Sequence, residues 1–197
     1  MPRALWDDIA SARRIVIGGV TGAGKSTAAT RLAAVLTRFT GRETRAIDFD
    51  EIGWEPASVK PWTHRPSWEQ RQLASEAIQA DSWVMTRPWS SAEDIVFHRA
   101  QLVIYLDYPP RTTLARLFRR TITRIIRREP CCNGNRESLA RLFSRDSIIY
   151  WWLKTVRSRH DEALELETAP SSPLNPPVLR LTHPSQMDAV LSLYRAK

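Results

Sequence analysis

The segment at 19–26, GVTGAGKS, constrains the fold more than any other part of the chain. It has the pattern G-x-x-x-x-G-K-S, and it stands directly after an apolar run at 14–19 and directly before a helical stretch at about 25–38. Glycines let the backbone turn sharply, so that successive N–H groups point to one place at the positive end of the helix. The segment therefore predicts a strand-to-helix loop that binds phosphate oxygens.

The polar side chains of this loop have predicted roles in holding a nucleoside triphosphate. Lys25 is expected to bridge the β and γ phosphates, Ser26 to bind Mg²⁺, and Thr27 to reach the α phosphate. The residues expected to surround the phosphates with their backbone are Gly19, Gly22, Ala23 and Gly24. ATP and Mg²⁺ are thus the predicted ligands, and the choice between ATP and GTP stays open.

Composition narrows the class of protein. With 197 residues, 43% apolar and 25% charged, the chain suits one folded domain over 1–197, which excludes a disordered or fibrous protein. No apolar run reaches the roughly 18 residues of a membrane span, and the N-terminus lacks the apolar core of a secretion signal. Cys131 and Cys132 are adjacent, and alone they make neither a disulfide framework nor a zinc ligand set. We expect a cytoplasmic protein with no membrane partner.

Short apolar runs alternate with helical patterns along the chain. The predicted strands lie at 14–19, 44–49, 82–86, 102–107 and 177–181. Strands separated by helices are typical of a parallel sheet that is covered on both faces. The predicted class is therefore a three-layer α/β fold.

The positive charge is concentrated in one segment. Of the net charge of +8, residues 111–160 hold 13 Lys and Arg against 3 Asp and Glu, which is +10. A helix at 111–128 is predicted to place arginines on one face and Leu114, Leu117, Phe118, Ile122, Ile125 and Ile126 on the other. Arginine suits phosphate oxygens, so this pattern indicates a nucleotide or nucleic acid as partner.

Several segments together resemble a known family. The phosphate loop, FDEIGWEP, the WV-type third strand, LVIYLDYPPRTTLARLFRR, CNGNRESL and SRDSIIYWW are similar to the nucleotide-kinase-like P-loop proteins. The closest resemblance, over about 14–166, is to the topology modulation protein family, whose members are described as adenylate-kinase-like. It implies a five-stranded sheet in the order 2-3-1-4-5 and a lid after the fourth strand, at about 119–146.

Two aspartates are candidates for the metal and the acceptor. Asp50 matches the family aspartate and ranks first, with Asp48 second; both could instead be solvated residues that cap the strand end. Asp50 is also expected to orient or deprotonate a hydroxyl acceptor, as in kinases of the shikimate kinase type. Thr86 stands where relatives commonly carry an aspartate after the third strand, which bears on catalysis more than on nucleotide binding.

The acceptor is expected at the carboxyl ends of the strands. Arg87 follows the third strand, where nucleotide kinases place an arginine on an acceptor phosphate, although it could be an ordinary ion-pair partner. Trp54 and Trp89 could stack on an acceptor, or they could serve packing alone.

Arginines of the lid segment are expected to close over the triphosphate. The candidates are Arg119, Arg136 and Arg145 for catalysis, and Arg124 and Arg128 for nucleotide binding. Each could equally belong to a solvated surface.

The leading hypothesis is an ATP- and Mg²⁺-dependent phosphotransferase that acts on a small acceptor such as a nucleotide or nucleoside. If the acceptor is already a phosphate, no base is needed and Arg87 gains importance. The alternatives are a nucleic-acid-binding protein switched by nucleotide, which the basic segment favours, and an ATP-binding regulator with little turnover, which Thr86 favours. The acceptor and the oligomeric state stay open.

Overall fold

The computed structural model describes residues 6–169 and 176–194. Its strands are β1 (Arg14–Gly19), β2 (Arg45–Ile47), β3 (Trp83–Thr86), β4 (Leu102–Leu106), β5 (Pro130–Cys131), β6 (Asn135–Arg136) and β7 (Val178–Leu181). Its helices are α1 (Trp6–Ser11), α2 (Lys25–Thr40), α3 (Phe49–Gly53), α4 (Ser67–Ala77), α5 (Glu93–Arg99), α6 (Pro110–Arg127), α7 (Leu139–Leu142), α8 (Ile148–Thr168) and α9 (Pro184–Leu193).

Five of these strands form one parallel sheet. Their order is β2-β3-β1-β4-β7, and each neighbouring pair runs parallel. Because β7 is the fifth strand of the sheet in chain order, the predicted order 2-3-1-4-5 is confirmed. The carboxyl ends of β1, β2 and β3 therefore lie side by side at one edge.

Helices cover both faces of the sheet, as the unbroken apolar strands predict. Ile15 and Ile17 point to the face that α2 and α9 cover, where Leu32 and Leu191 are buried. Val16 points to the opposite face, against buried side chains of α3, α4, α5 and α8. The two cores fix β1 at the centre of the sheet and hold the loop that follows it.

The second strand is shorter than the predicted 44–49. It ends at Ile47 because Asp48 starts α3, accepting a hydrogen bond from the Asp50 amide at 3.2 Å. An aspartate that caps a helix competes with continuation of a strand. Asp50 consequently lies in the first turn of a helix, and Asp48 and Asp50 do not alternate across a strand.

The predicted apolar face of α6 is buried only in part: Leu117 is buried and Leu114 packs against the core, whereas Phe118 and Ile126 are exposed. The residues that this helix buries are Thr113, Leu117 and Thr121, while Phe118 is 54% exposed and Ile126 is 75% exposed. The cause is close packing on the phosphate loop, where a Cβ on Gly22 would lie 2.4 Å from the Thr113 carbonyl oxygen. The side of α6 that packs on the phosphate loop is narrow, and two of its three buried residues are small threonines.

After α6 the chain forms a small antiparallel hairpin. Strands β5 and β6 pair Cys131 with Asn135 across a turn, and α7 follows. These elements occupy the segment that was predicted as a lid. Within the described residues, no helix is both long and apolar enough to span a membrane.

Candidate active site

The phosphate loop joins β1 to α2 with three glycines in the left-handed region of backbone space. Their φ angles are 129° at Gly19, 84° at Gly22 and 100° at Gly24, which other residues adopt only with strain. Gly24 directly precedes the 16-residue helix α2 and gives it no side-chain cap, so the first amides of this helix stay free for a ligand.

Lys25 lies at the start of α2 with its ammonium group folded over the loop. Its Nζ donates a hydrogen bond to the Val20 carbonyl oxygen at 3.3 Å, and it has no ion pair among the residues described. Burial lowers the pKa of Lys25, while the charges of Asp50 and Asp48 oppose that shift. A partly desolvated ammonium without a carboxylate contact is suited to bind phosphate oxygens.

Asp48 and Asp50 meet Lys25 at the carboxyl end of β2. Loss of water around the Asp50 carboxyl raises its pKa, and the negative charge of Asp48 raises it further. The positive charges of Lys25, Arg120 and Arg124 act in the opposite direction. The Asp50 residue nevertheless remains accessible to solvent. The structure thus brings the two predicted aspartates and the loop lysine into one electrostatic group.

Thr86 holds Asp48 in place. Its hydroxyl donates to Asp48 Oδ1 at 3.0 Å and accepts from the Phe49 amide at 2.8 Å. Thr86 is therefore a buried support for the aspartate that directly follows the neighbouring strand β2.

Among the arginines of α6, two that the sequence did not select lie closest to the phosphate loop. Arg116 donates to the Ala23 carbonyl oxygen at 3.3 Å. Arg120 is half-buried, burial lowers its pKa, and its Nε is buried without a hydrogen-bond partner in the described structure. Positions 116, 120 and 124 are spaced by four residues and so lie in one row, a signal that the sequence did contain.

The other predicted lid arginines lie at the surface. Arg119, Arg128, Arg136 and Arg145 are exposed, and Arg128 terminates α6 with a φ of 52°. Of the predicted lid set, Arg124 is the one whose charge acts among the main influences on the pKa of Asp50. The roles of the four exposed arginines stay predictions.

Aromatic rings cluster beside this charged group. The ring centroid of Trp54 lies 5.8 Å from that of Trp89 and 4.1 Å from that of His64, and His64 lies 4.7 Å from Trp89. Gly53 permits this packing, since a Cβ there would lie 2.6 Å from the Trp89 ring. Trp54 and Trp89, the two tryptophans predicted to contact the acceptor, are therefore in contact with each other. His64, which the sequence gave no reason to select, packs against both rings.

The hairpin of the predicted lid is attached to the aromatic loop. The Asn133 side-chain amide donates to the Trp54 carbonyl oxygen at 2.9 Å, and the Trp62 amide donates to Asn135 Oδ1 at 2.6 Å. The Arg141 guanidinium lies 3.9 Å from the centre of the Trp62 ring. The β5–β6 hairpin and α7 thus pack directly against the loop that carries Trp54 and Trp62.

Arg87 is enclosed by carboxylates. Its guanidinium pairs with Glu93 and Glu162, and its side chain is only 16% exposed. Burial lowers the pKa of Arg87, with the charge of Glu93 acting against it. Tyr105 donates to the same Glu162 at 2.6 Å. The structure places no contact between Arg87 and the phosphate loop or Asp50 within the residues described.

Asp107, at the end of β4, is also neutralised. It accepts from Arg180 Nε at 2.8 Å and lies 2.9 Å from His160 Nδ1, beside a cavity of about 440 Å³. Asp107 is therefore ion-paired, whereas Asp48 and Asp50 form no ion pair among the residues described.

The sheet order, the loop and the covering helices are those of the P-loop kinases, and comparison with solved structures shows the same fold. Shikimate kinase from Bacteroides thetaiotaomicron superposes with a TM-score of 0.53 at 13% identity, over 92% of this chain and 96% of that one. Shikimate kinase from Acinetobacter baumannii, in complex with shikimate, gives 0.50 at 15% identity over 97% and 96%.

A third neighbour is Kti12 from Chaetomium thermophilum in complex with ADP-AlF3, with a TM-score of 0.50 at 14% identity over 90% of this chain and 95% of that one. No protein-family model matches the chain, and no curated protein sequence matches it. At these identities the likeness extends to the fold, and the narrower resemblance to the topology modulation family stays a prediction.

Proposed function

We propose that this protein is an ATP- and Mg²⁺-dependent phosphotransferase that moves the γ-phosphate to a hydroxyl group of a small acceptor. One observation carries the proposal: the unpaired Lys25, the Asp48–Asp50 pair and the partnerless Arg120 Nε converge beside a loop of the phosphate-binding type. Positive groups for a triphosphate and a carboxylate for an acceptor are the components that phosphoryl transfer requires.

The donor is held mainly by the backbone. The amides at the start of α2 bind the β-phosphate, and Lys25 exchanges its weak contact with Val20 for the β and γ oxygens. Arg120 and Arg124 approach from α6 and neutralise charge on the transferred group. Arg116, bonded to the loop at Ala23, couples α6 to the same site.

The residues present fit a magnesium ion. The Asp50 carboxyl has a raised pKa beside Asp48, so the site has negative charge that a cation would stabilise. The Ser26 hydroxyl is exposed at the start of α2. No cluster of three His, Cys, Asp or Glu residues suited to a metal occurs in the described parts of the chain, which agrees with a metal held largely by water and phosphate oxygens. When bound, Mg²⁺ would neutralise the β and γ oxygens.

Asp50 is the candidate base. Thr86 and the Asp50 amide both engage Asp48 through its Oδ1, whereas no hydrogen bond to the Asp50 carboxylate occurs among the residues described. Asp50 would accept the proton of the attacking hydroxyl, and Asp48 would hold the turn and contribute charge. A raised pKa makes Asp50 a better proton acceptor than an ordinary aspartate.

The surroundings of Arg87 favour a hydroxyl acceptor over a phosphate acceptor. Its guanidinium is already matched by Glu93 and Glu162, so an acceptor phosphate would meet two carboxylates. Repulsion between the phosphate and these two carboxylates would disfavour binding of a phosphorylated acceptor. Trp54 and Trp89 then provide apolar contact for the body of the acceptor.

A panel of acceptors tests the proposal. Purified protein with ATP and Mg²⁺ is assayed for ADP release and for phosphorylated product against nucleosides, polyols and hydroxy acids, and in parallel against nucleoside monophosphates. We expect transfer to a hydroxyl compound that is lost in Lys25→Ala, while circular dichroism and melting show a retained fold. Transfer to monophosphates alone would refute the acceptor assignment, and equal rates in wild type and Lys25→Ala would refute the site.

A second candidate is nucleic-acid binding controlled by nucleotide. It is favoured by the outer surface of the lid segment, where the exposed arginines lie near exposed aromatic residues along the chain, including Phe118 and Phe143. Affinity for DNA that falls steeply with salt, with no transfer to any acceptor, would favour this candidate. Tight ATP binding without either activity would favour a regulator with little turnover.

A further inference from the structure

The lid hairpin carries two thiols side by side. Cys131 ends β5 and is buried, whereas Cys132 begins the turn, is partly exposed and has a φ of 46°. The two thiols belong to adjacent residues of the turn, and neither forms a disulfide.

The thiol pair faces positive charge. The neighbouring Cys132 thiol, followed by the charges of Arg124 and Arg120, lowers the pKa of Cys131 in spite of its burial and of nearby Glu137. The Cys131 thiol and burial raise the pKa of Cys132. A thiolate beside arginines and next to a second thiol is the arrangement in which a cysteine is oxidised and then resolved by its neighbour.

The same turn holds the aromatic loop in place. Besides the contacts of Asn133 and Asn135 described above, the Ala57 amide donates to the Asn133 carbonyl oxygen at 3.0 Å. The Asn135 side chain also donates to the Cys132 carbonyl oxygen at 2.6 Å. A change of backbone at Cys132 therefore alters the contacts that position Trp54 and Trp62.

We propose that Cys131 and Cys132 form a reversible oxidation site at which a hydroperoxide closes a disulfide between the adjacent residues and loosens the hairpin from the aromatic loop. The Cys131 thiolate attacks one peroxide oxygen, the O–O bond breaks, and the sulfenic acid forms with release of hydroxide. The Cys132 sulfur then attacks the Cys131 sulfur, and an S–S bond replaces the S–OH bond. The hydroxide that leaves Cys131 accepts the proton of the Cys132 thiol and departs as water. In the two steps together, the thiols transfer two electrons to the peroxide.

Geometry makes this disulfide strained and easily reduced. Neighbouring Cα atoms are about 3.8 Å apart, whereas ordinary disulfides span roughly 4.4–6.8 Å between Cα atoms. Closure therefore requires the backbone of the turn to twist. That turn already has positive φ angles at Cys132, Asn133 and Gly134. Strained disulfides are the labile and regulatory ones, so dithiothreitol should reopen this one readily.

Intact mass and thiol titration of the full chain test the site without any assay of activity. With hydrogen peroxide, wild type should lose two hydrogens and both titratable thiols, and dithiothreitol should restore them. Cys132→Ser should instead gain one oxygen that dimedone traps, and Cys131→Ser should react at least about tenfold more slowly. Stable addition of oxygen to wild type, a disulfide only between chains, or equal rates for the two variants would overturn the proposal.

A second test measures arsenic binding and tryptophan emission. Phenylarsine oxide should bind wild type with one arsenic across both thiols and loss of one water, and peroxide-treated protein should not bind it. Oxidation should also shift the tryptophan emission, and the peroxide-treated Cys132→Ser variant should show at most a much smaller shift. Arsenic binding to both thiols after peroxide treatment would show that no disulfide had formed and would contradict the proposal.

The catalytic consequence rests on the proposed function. Oxidised protein is expected to lose acceptor-dependent turnover several-fold while its affinity for ATP, which depends on the loop at Lys25, stays the same. If the thiol chemistry occurs and no turnover is found in either state, the oxidation site stands and the proposed function fails. If turnover exists and is unchanged by oxidation, the link between hairpin and acceptor loop is refuted.

Discussion

Thr86 Oγ1 donates a hydrogen bond to Asp48 Oδ1 across a distance of 3.0 Å, between the ends of two neighbouring strands. The same oxygen accepts from the amide of Phe49, so one hydroxyl fixes both the carboxylate and the first turn of α3. Thr86 thus supports the aspartate that follows the neighbouring strand β2. The carboxylates of the candidate site come from the start of α3 and not from position 86.

Replacement of Thr86 by valine should reduce turnover more than it reduces ATP affinity. Valine keeps the volume but leaves the buried Phe49 amide without a partner and frees Asp48. We expect a loss of about 1–3 kcal/mol in the free energy of unfolding, measured by urea titration, and a lower kcat measured in the transfer assay. Thr86→Ser keeps the hydroxyl and should stay near wild type; equal effects of valine and serine would count against the hydrogen bonds.

Replacement of Asp50 by asparagine should abolish transfer and stabilise the folded protein at neutral pH. The folded state raises the pKa of this carboxyl, so its proton is held more tightly than in the unfolded chain. That contribution favours folding below the ordinary carboxyl pKa and disappears as the pH rises through the raised value, beyond which the charged Asp50 opposes folding. Melting temperatures of wild type and Asp50→Asn, taken with EDTA and no nucleotide, should diverge as the pH rises from 3 to 7. A wild type that melts higher at pH 7 would contradict the assignment.

Replacement of Arg120 by alanine should lower kcat by about tenfold or more, because a donor aimed at the transferred group acts mainly in the transition state. Arg119 is the matched control, since it lies next to Arg120 on α6 and is exposed. The sequence predicts a catalytic role for Arg119, so a larger effect of Arg119→Ala than of Arg120→Ala in the transfer assay would restore that prediction. Nucleotide affinity, measured by calorimetry, should change less than kcat in both variants.

The sheet was predictable because its signals are local. Apolar runs, the glycine loop and the helical periods each follow from a few consecutive residues, and they predict the α/β class. The strand order came from the family resemblance, and the structure confirms it. The convergence of Lys25, Asp48 and Asp50 was predictable for the same reason, since β1 and β2 both end at one edge.

The failures concern contacts between distant segments. The partial burial of Arg120 and the exposure of Arg119 were not predicted, because the orientation of α6 depends on its contact with Gly22 of the phosphate loop, which a projection of the helix alone does not include. The partners of Arg87 lie 6 and 75 residues away, at Glu93 and Glu162. The sequence shows that Thr86 stands where an aspartate was expected. Its hydrogen bond to Asp48 could not be predicted, because it depends on the register of β2 against β3.

Replacement of Gly53 by alanine should weaken acceptor binding with little change in ATP affinity. The new Cβ would lie 2.6 Å from the Trp89 ring, at the outer atoms of its six-membered ring, so the indole must move. Overpacking of this kind costs about 1–3 kcal/mol, and we expect a higher KM for the acceptor in the transfer assay. Phenylalanine at 89 lacks those outer atoms, so Gly53→Ala should cost less in a Trp89→Phe background, measured as a double-mutant cycle of unfolding free energies. Additive effects of the two substitutions would show that the contact between Gly53 and Trp89 does not shape this part of the site.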